Sequence, residues 1–193
     1  EKALRGHDTV FHLASLIAIP YSYIAPKSYF ETNLNGTLNV LQSCMSNKVK
    51  RLIHTSTSEV YGTAQFVPIS EQHPLQGQSP YSASKIAADM AVNSFFCSYD
   101  VPVVTLRPFN TYGPRQSLRA VIPTIVAQVL SGILEVKVGN VKPTRDFNFV
   151  YDTVQAFYAV AEADSSDLLG DVFNCGSGVE STILDVCRIV EEL

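Results

Sequence analysis

The chain has no tryptophan, only two methionines and only four cysteines in 193 residues. Cys44, Cys97, Cys175 and Cys187 lie far apart and form no CxxC pair, which excludes a disulfide frame or a zinc site. They read as reduced thiols of a cytoplasmic protein. A long apolar run is also missing. The longest uncharged stretch, Thr9 to Pro26, contains His12 and Pro20, so no membrane span is expected. No signal-peptide pattern is visible. Basic charge is scarce: 14 Lys plus Arg stand against 18 Asp plus Glu, a net charge of −4. That balance argues against a nucleic-acid binder and leaves small anionic ligands open. The chain also has no G-x-x-G-x-x-G loop.

What is present is globular. Hydrophobic residues make up 46% and charged residues 17%, which excludes a disordered tail. A chain of this length buries roughly 70% of its unfolded surface and suits one domain or one and a half. Strand-like and helix-like segments alternate. Thr9 to Ala14 and Arg51 to Ser56 have strand length, and Val101 to Leu106 reads as a buried strand. Residues 27–46 carry Leu34, Leu38, Leu41 and Met45 at helical spacing. Ser79-Pro80 is a helix start, with Ser as cap and Pro at the first helical position, and the helix runs from Tyr81 to about Tyr99. The loop between, 63–79, is rich in Pro, Gln, Gly and Ser.

The fold class expected is therefore α/β, a Rossmann-like doubly wound parallel sheet with helices on both faces. After Pro108 the pattern predicts a loop at 109–117, a helix at 118–131, strands at Leu134–Val138 and Asp146–Val150, and a helix capped by Asp152. A strand at Val172–Cys175 and a helix from about Ser181 complete the chain. The expected division is a nucleotide-binding part over 1–108 and a mainly substrate-binding part over 109–193, interleaved.

Tyr81 and Lys85 form Y-x-x-x-K, one turn apart on one helix face. A free phenol loses its proton near pH ~10, and a nearby ammonium favours phenolate. Such a pair is suited to taking a proton from an alcohol while hydride leaves its carbon. The same spacing also arises by chance. Thr55-Ser56-Thr57-Ser58-Glu59-Val60-Tyr61-Gly62 comes after a predicted strand and crowds hydroxyls and a carboxylate at its C-terminal end, where open α/β sheets bind ligands. A capped turn explains the hydroxyls equally well. Glu59 is unexpected in a mere turn and is suited to act as a base on a substrate carbon.

Together these stretches resemble an extended short-chain dehydrogenase/reductase of the NAD-dependent nucleotide-sugar epimerase/dehydratase family. The matching motifs are HLAS (12–15), TNLNGT (32–37), TSTSEVYG (55–62), PYSASK (80–85), RPFNTYGPRQ (107–116) and TRDFNFVYD (144–152), in family order. The resemblance implies NAD as cofactor, with NADP not excluded, and no metal. Tyr81 would be the active-site phenol, and Lys85 would lower its pKa and hold the nicotinamide ribose. Thr57 would hydrogen-bond the sugar hydroxyl being oxidised. Leu13, Ala14, Ser15, Thr55, Ser56 and Pro108 would line the cofactor. Asn33 would sit near the site, or equally would fix a helix bend. Asn110 would touch the sugar or diphosphate, and Arg145 would bind the diphosphate, with Arg115 a weaker phosphate candidate.

The Thr57-Ser58-Glu59 run resembles that of 4,6-dehydratases and of UDP-glucuronate decarboxylases. The wider wording is most similar to bacterial dehydratases of legionaminic-acid-type sugar synthesis, which implies a nucleotide-activated N-acetylglucosamine substrate. Ser58 stands where other dehydratases carry an Asp acid, so Glu59 would move the proton itself. The alternatives are a 4-epimerase, a decarboxylase, or a catalytically incomplete fragment that retains the fold. The missing glycine loop favours the last, since the family layout puts two βα units before HLAS. Helices 27–46 and 81–99 are apolar on more than one face, with Ala87, Ala88, Ala91 and Phe95 on the second, which suggests a homodimer packed through them. Both faces buried within one subunit is the competing expectation.

Overall fold

A computed structural model describes residues 1–164 and 166–193. In chain order the elements are β1 (Thr9–His12), α1 (Ile19–Ser22), α2 (Pro26–Tyr29), α3 (Gly36–Asn47), β2 (Arg51–Thr55), α4 (Pro80–Tyr99), β3 (Val103–Pro108), β4 (Asn110–Tyr112), α5 (Val121–Leu130), β5 (Thr144–Phe149), α6 (Val150–Glu162), β6 (Val172–Cys175), β7 (Glu180–Thr182) and α7 (Ile183–Glu192). The chain divides into two compact units, 1–108 with 155–175 and 109–154 with 176–193.

The first unit is built on a parallel sheet of order β1-β2-β3-β6. The fold class is the α/β, doubly wound one that the alternation implies. Val103, Val104 and Leu106 are at most 1% exposed, as expected for a strand covered on both faces. One face packs Leu52 and Val103 against Leu41 and Cys44 of α3 and Val92 of α4. The other packs Ile53, Val104 and Leu106 against Phe157, Val160 and Ala161 of α6. Arg51 donates to the carbonyls of Val160, Ala161 and Ala163 at 2.9, 3.1 and 2.5 Å, which caps the C-terminal end of that helix.

The start of α4 obeys its capping logic. Ser79 Oγ accepts from the Ser82 backbone N–H at 3.0 Å, and Ser82 Oγ accepts from the Ser79 N–H at 2.9 Å. On the expected second face of α4, Ala88 is buried, and Ala91 and Phe95 pack against the core of the same chain. For these residues the within-subunit expectation holds.

The helix expected over 27–46 forms without a break, but its winding is not uniform. Phe30–Asn35 is a π-helical segment between α2 and α3. Within it Asn33 uses its whole side-chain amide. Its Oδ1 accepts from Ser15 Oγ at 2.9 Å and from the Leu16 N–H at 2.8 Å. Its Nδ2 donates to the Leu16 carbonyl at 3.0 Å and to Ser84 Oγ at 2.9 Å. The widened turn is what lets one amide tie the segment after β1 to α4.

The second unit holds a three-stranded sheet of order β4-β5-β7 and the helix pair α5 and α7. Ile125, Ile183 and Val186 form its core. Three expectations fail here. Leu134–Val138 is not a strand: Leu134 is fully exposed, while Val136 and Val138 pack on the α5/α7 core without a ladder partner. Residues 109–117 are not all loop, because Asn110–Tyr112 pairs in parallel with Phe147–Phe149. Asp152 is not a cap, because α6 already begins at Val150 and Asp152 falls in its first turn. The last helix is capped by Thr182, reciprocally with Asp185.

Asn33→Ala should lower folding stability by about 2–3 kcal/mol, since it leaves buried backbone and hydroxyl partners unsatisfied. Urea unfolding measures it, and an unchanged midpoint would contradict the clamp.

Candidate active site

The candidate residues of the first unit gather at the C-terminal ends of its parallel strands. After β2, Thr57 is extended, and its Oγ1 accepts from the Glu59 N–H at 3.2 Å. This caps a 3-10 turn over Ser58–Tyr61. Val60 and Tyr61 are fully buried and anchor the turn from below. Gly62 closes it at φ +64, where an added Cβ would sit 2.8 Å from the Gln76 carbonyl oxygen. The Ser58 and Glu59 side chains are left half-buried. The capped-turn and ligand-site readings of this segment are thus both compatible with its geometry.

On α4, Tyr81, Lys85 and Asp89 recur at every fourth residue and form one buried stripe, at 6%, 4% and 4% exposure. Tyr81 is hydrogen-bonded to Thr57 and lies close enough to Glu59 to feel its charge. Lys85 Nζ donates to the Thr55 carbonyl at 2.6 Å. The resemblance implies that Lys85 lowers the pKa of the phenol; burial of the phenol acts in the opposite direction. Burial pushes the Tyr81 phenol up to about 12; the Thr57 hydrogen bond opposes this, and the Glu59 and Asp89 charges add to it. Burial likewise pulls the Lys85 amine down to about 8, against the pull of Asp89. The ammonium is turned onto a backbone carbonyl, and desolvation of the phenol dominates.

Below the stripe lies a polar network that the motifs did not announce. Asp89 Oδ2 accepts from Ser56 Oγ at 2.8 Å and from Arg107 Nη2 at 3.1 Å and Nε at 3.3 Å. Asp89 Oδ1 lies 3.1 Å from His54 Nε2. Arg107 also donates to the Tyr61 hydroxyl at 3.0 Å, and that hydroxyl donates to Asn174 Oδ1 at 2.7 Å. Two signals in the sequence point to it: Asp89 continues the Tyr81/Lys85 spacing, and Arg107 is a charge within an otherwise apolar strand.

The other candidates divide. Leu13 and Ala14 are exposed just beyond β1, and Pro108 is half-buried at the end of β3. Ser15 and Asn33 bond to each other, and the Ser56 hydroxyl is given to Asp89. Thr55 Oγ1 is buried without a hydrogen-bond partner. Asn110, Arg115 and Arg145 belong to the second unit. Asn110 is half-buried in β4. Arg115 is exposed in a turn at φ +68. Arg145 is exposed, with Nη1 donating to the Thr144 carbonyl at 2.7 Å. Among the described residues no cluster of His, Cys, Asp or Glu has the makings of a metal site. No described helix is long and apolar enough to cross a membrane.

Residues 2–192 match the family model described as GDP-mannose 4,6 dehydratase. The chain belongs to that family, which groups sugar-nucleotide dehydratases and epimerases on this Rossmann-like fold. It is 33% identical over 192 residues to a dTDP-glucose 4,6-dehydratase of Actinoplanes, covering all of this chain and 59% of that protein. It superposes with a TM-score of 0.91 and 33% identity on TunA, an NAD-dependent NDP-hexosamine 5,6-dehydratase, covering 99% of this chain and 62% of that one. It superposes with a TM-score of 0.93 and 29% identity on UDP-glucuronic acid 4-epimerase from Bacillus cereus, solved with UDP-glucuronic acid and NAD, covering 99% of this chain and 60% of that one. The chain thus spans about three fifths of the length of these relatives.

The buried histidines set an acid limit. Burial first, then the His54 and Lys85 charges, pull the His12 imidazole down to about 4. The unfolded chain binds that proton at pH ~6.5, so stability falls as pH drops from about 6.5 toward 4. The loss attributable to His12 is about 3 kcal/mol. His12→Gln should flatten the slope of unfolding free energy between pH 7 and pH 4.5, measured by urea titration at each pH. An unchanged slope would show that His12 does not carry it.

Proposed function

We propose that the chain carries the catalytic residues of an NAD-dependent nucleotide-sugar 4,6-dehydratase acting on a nucleotide-activated N-acetylglucosamine. The observation that carries this reading is the meeting of Thr57, Glu59 and Tyr81: a hydroxyl paired with a buried phenol, with a carboxylate within electrostatic reach of the phenol. The resemblance of the motif run to legionaminic-acid-type dehydratases and the likeness to a hexosamine dehydratase support the sugar class.

The residues present fit a nicotinamide ribose. Lys85 Nζ uses one N–H on Thr55 and keeps two for a diol, and the unpartnered Thr55 Oγ1 lies beside it. Leu13, Ala14 and Pro108 offer apolar walls, and Ser15, Ser56 and Asn33 hold those walls in place. Bound NAD would supply the acceptor and donor of hydride and a positive charge that favours phenolate. Thr57 holds the C4 hydroxyl against Tyr81 Oη, which takes its proton. The C4 ketone acidifies the C5 proton, and Glu59 removes it. Glu59 then gives that proton to the hydroxyl leaving C6 as water, since Ser58 is too weak an acid; the balance would close with return of the C4 hydride to C6 and of the proton held by Tyr81 to C5. Asn110, Arg115 and Arg145 would serve the sugar and diphosphate, the guanidinium fork suiting an anion. In this reading the first unit serves the cofactor and the second the substrate.

The test is mass spectrometry of products after incubation with NAD and a panel of nucleotide sugars. Loss of one water from an N-acetylglucosamine nucleotide supports the reading. An isomer of unchanged mass, or loss of carbon dioxide, replaces it with an epimerase or a decarboxylase. No turnover by the chain together with turnover by a longer parent protein would identify an incomplete fragment. Glu59→Gln should lower water loss ~10²–10⁴-fold while a 4-ketone, trapped with hydroxylamine, still forms. Equal loss of both would remove Glu59 from the elimination step. A homodimer through helices 27–46 and 81–99 belongs to the same proposal, supported by the exposed Met45 and Met90. Met90→Glu should then halve the mass seen in sedimentation equilibrium, and a monomeric parent would overturn it.

A further inference from the structure

We propose that Asp89 is a positioning residue: its carboxylate, pinned one helical turn beyond Lys85, holds Lys85 in the charged form that the site needs. The inference rests on the dehydratase reading for its functional meaning, though not for its test.

Three observations carry it. First, Asp89 is the sole buried carboxylate among the described residues, while Lys85 and Arg107 are both buried cations. Second, Asp89 cannot swing away. Ser56, Arg107 and His54 hold both of its oxygens, from the end of β2, from β3 and from β2 itself. Third, α4 places Lys85 and Asp89 four residues apart, on neighbouring turns of one face. The groups around Lys85 are otherwise unhelpful to its charge. His12 of β1, His54 of β2 and Arg107 of β3 are neutral or positive, and Tyr81 of α4 is a neutral phenol. Glu59, on the turn after β2, acts on Tyr81. The Thr55 carbonyl gives Lys85 a dipole only. In so dry a site, one fixed anion outweighs what it would do in water.

Both oxygens of Asp89 are taken by protein groups, so in this proposal it acts through Lys85. A residue needed only for folding would leave the titration of Lys85 where it is. The experiment is an NMR titration of the chain carrying ¹³C-labelled lysine, with the Lys85 signal assigned by its loss in Lys85→Met. The native midpoint is expected near pH 8. In Asp89→Asn it should fall by at least about one pH unit, because the one favourable charge is gone. If that variant does not fold, the measurement moves to Asp89→Asn combined with Arg107→Leu. Removing both partners of a buried pair leaves no stranded charge, and such replacements are often tolerated. Measured against Arg107→Leu alone, which removes the same cation, the Lys85 midpoint should fall there too. An unchanged midpoint in Asp89→Asn, or between the double variant and Arg107→Leu, would overturn the proposal. No cofactor or substrate is present in this titration, so a failure of the dehydratase reading would leave its outcome intact. Where turnover is measurable, the alkaline limb of its pH profile should move down with the midpoint.

Discussion

A single buried carboxylate organises the first unit. Asp89 receives hydrogen bonds from Ser56 and Arg107 and faces His54, so β2, α4 and β3 meet on its two oxygens. Arg107 extends the network to Tyr61, and Tyr61 to Asn174 at the end of β6. Taking two such charges out of water costs several kcal/mol each, and only near-complete hydrogen bonding offsets that. Near-complete bonding is what the network provides, and Asp89 is held well in its ionised range by His54, Arg107 and Ser56 despite burial. The consequence is geometric. A 20-residue helix packed by apolar contacts alone has freedom to roll on the sheet. Pinned at Asp89, α4 has one orientation, and Lys85 and Tyr81 are presented one and two turns further toward its N-terminus.

Burial then acts in opposite senses on those two groups. It keeps the proton on the phenol and weakens the hold of the amine on its own. At neutral pH the resting site is therefore a neutral tyrosine beside a lysine whose charge is easily lost. Neither group is reactive in that state. A site of this kind waits for a ligand that brings positive charge, because that charge opposes the desolvation and favours phenolate at the moment a proton must move.

The sheet is legible in the sequence because its strands are buried on both faces. Runs such as Val103 to Leu106 are apolar or β-branched throughout and bounded by breakers, and no tertiary detail is needed to read them. The start of α4 is legible for a local reason as well, the Ser-Pro cap. The expectations that fail depend on partners remote in sequence. Val136 and Val138 alternate as a strand would, yet they meet helices rather than another strand. Asn110–Tyr112 looks like loop and becomes strand because Phe147–Phe149 lies beside it. The π-helical segment has no composition of its own; it exists because one asparagine reaches two distant partners. In the site, the Y-x-x-x-K spacing and the Thr57-Ser58-Glu59 run are visible as motifs. Asp89 and Arg107 leave only weaker signals, a continued helical spacing and a charge in a buried strand, because their meaning is a pairing across 18 residues of chain.

The turn after β2 suggests how one scaffold serves different outcomes. Its backbone is fixed at every point: Thr57 caps it, Val60 and Tyr61 are sunk beneath it, and Gly62 closes it where no side chain fits. The Ser58 and Glu59 side chains remain half-exposed beyond the capping Thr57. In the proposed reading, proton transfer at C4 belongs to Tyr81, Thr57 and Lys85, and the fate of the resulting ketone belongs to the residues at 58 and 59. Dehydratases and an epimerase superpose closely on this chain, so the fold itself does not choose between them. A rigid turn with two variable side chains beside a shared phenol is an economical place for that choice. A carboxylate there adds a base for a second proton without disturbing the first, because the turn that carries it does not depend on its side chain.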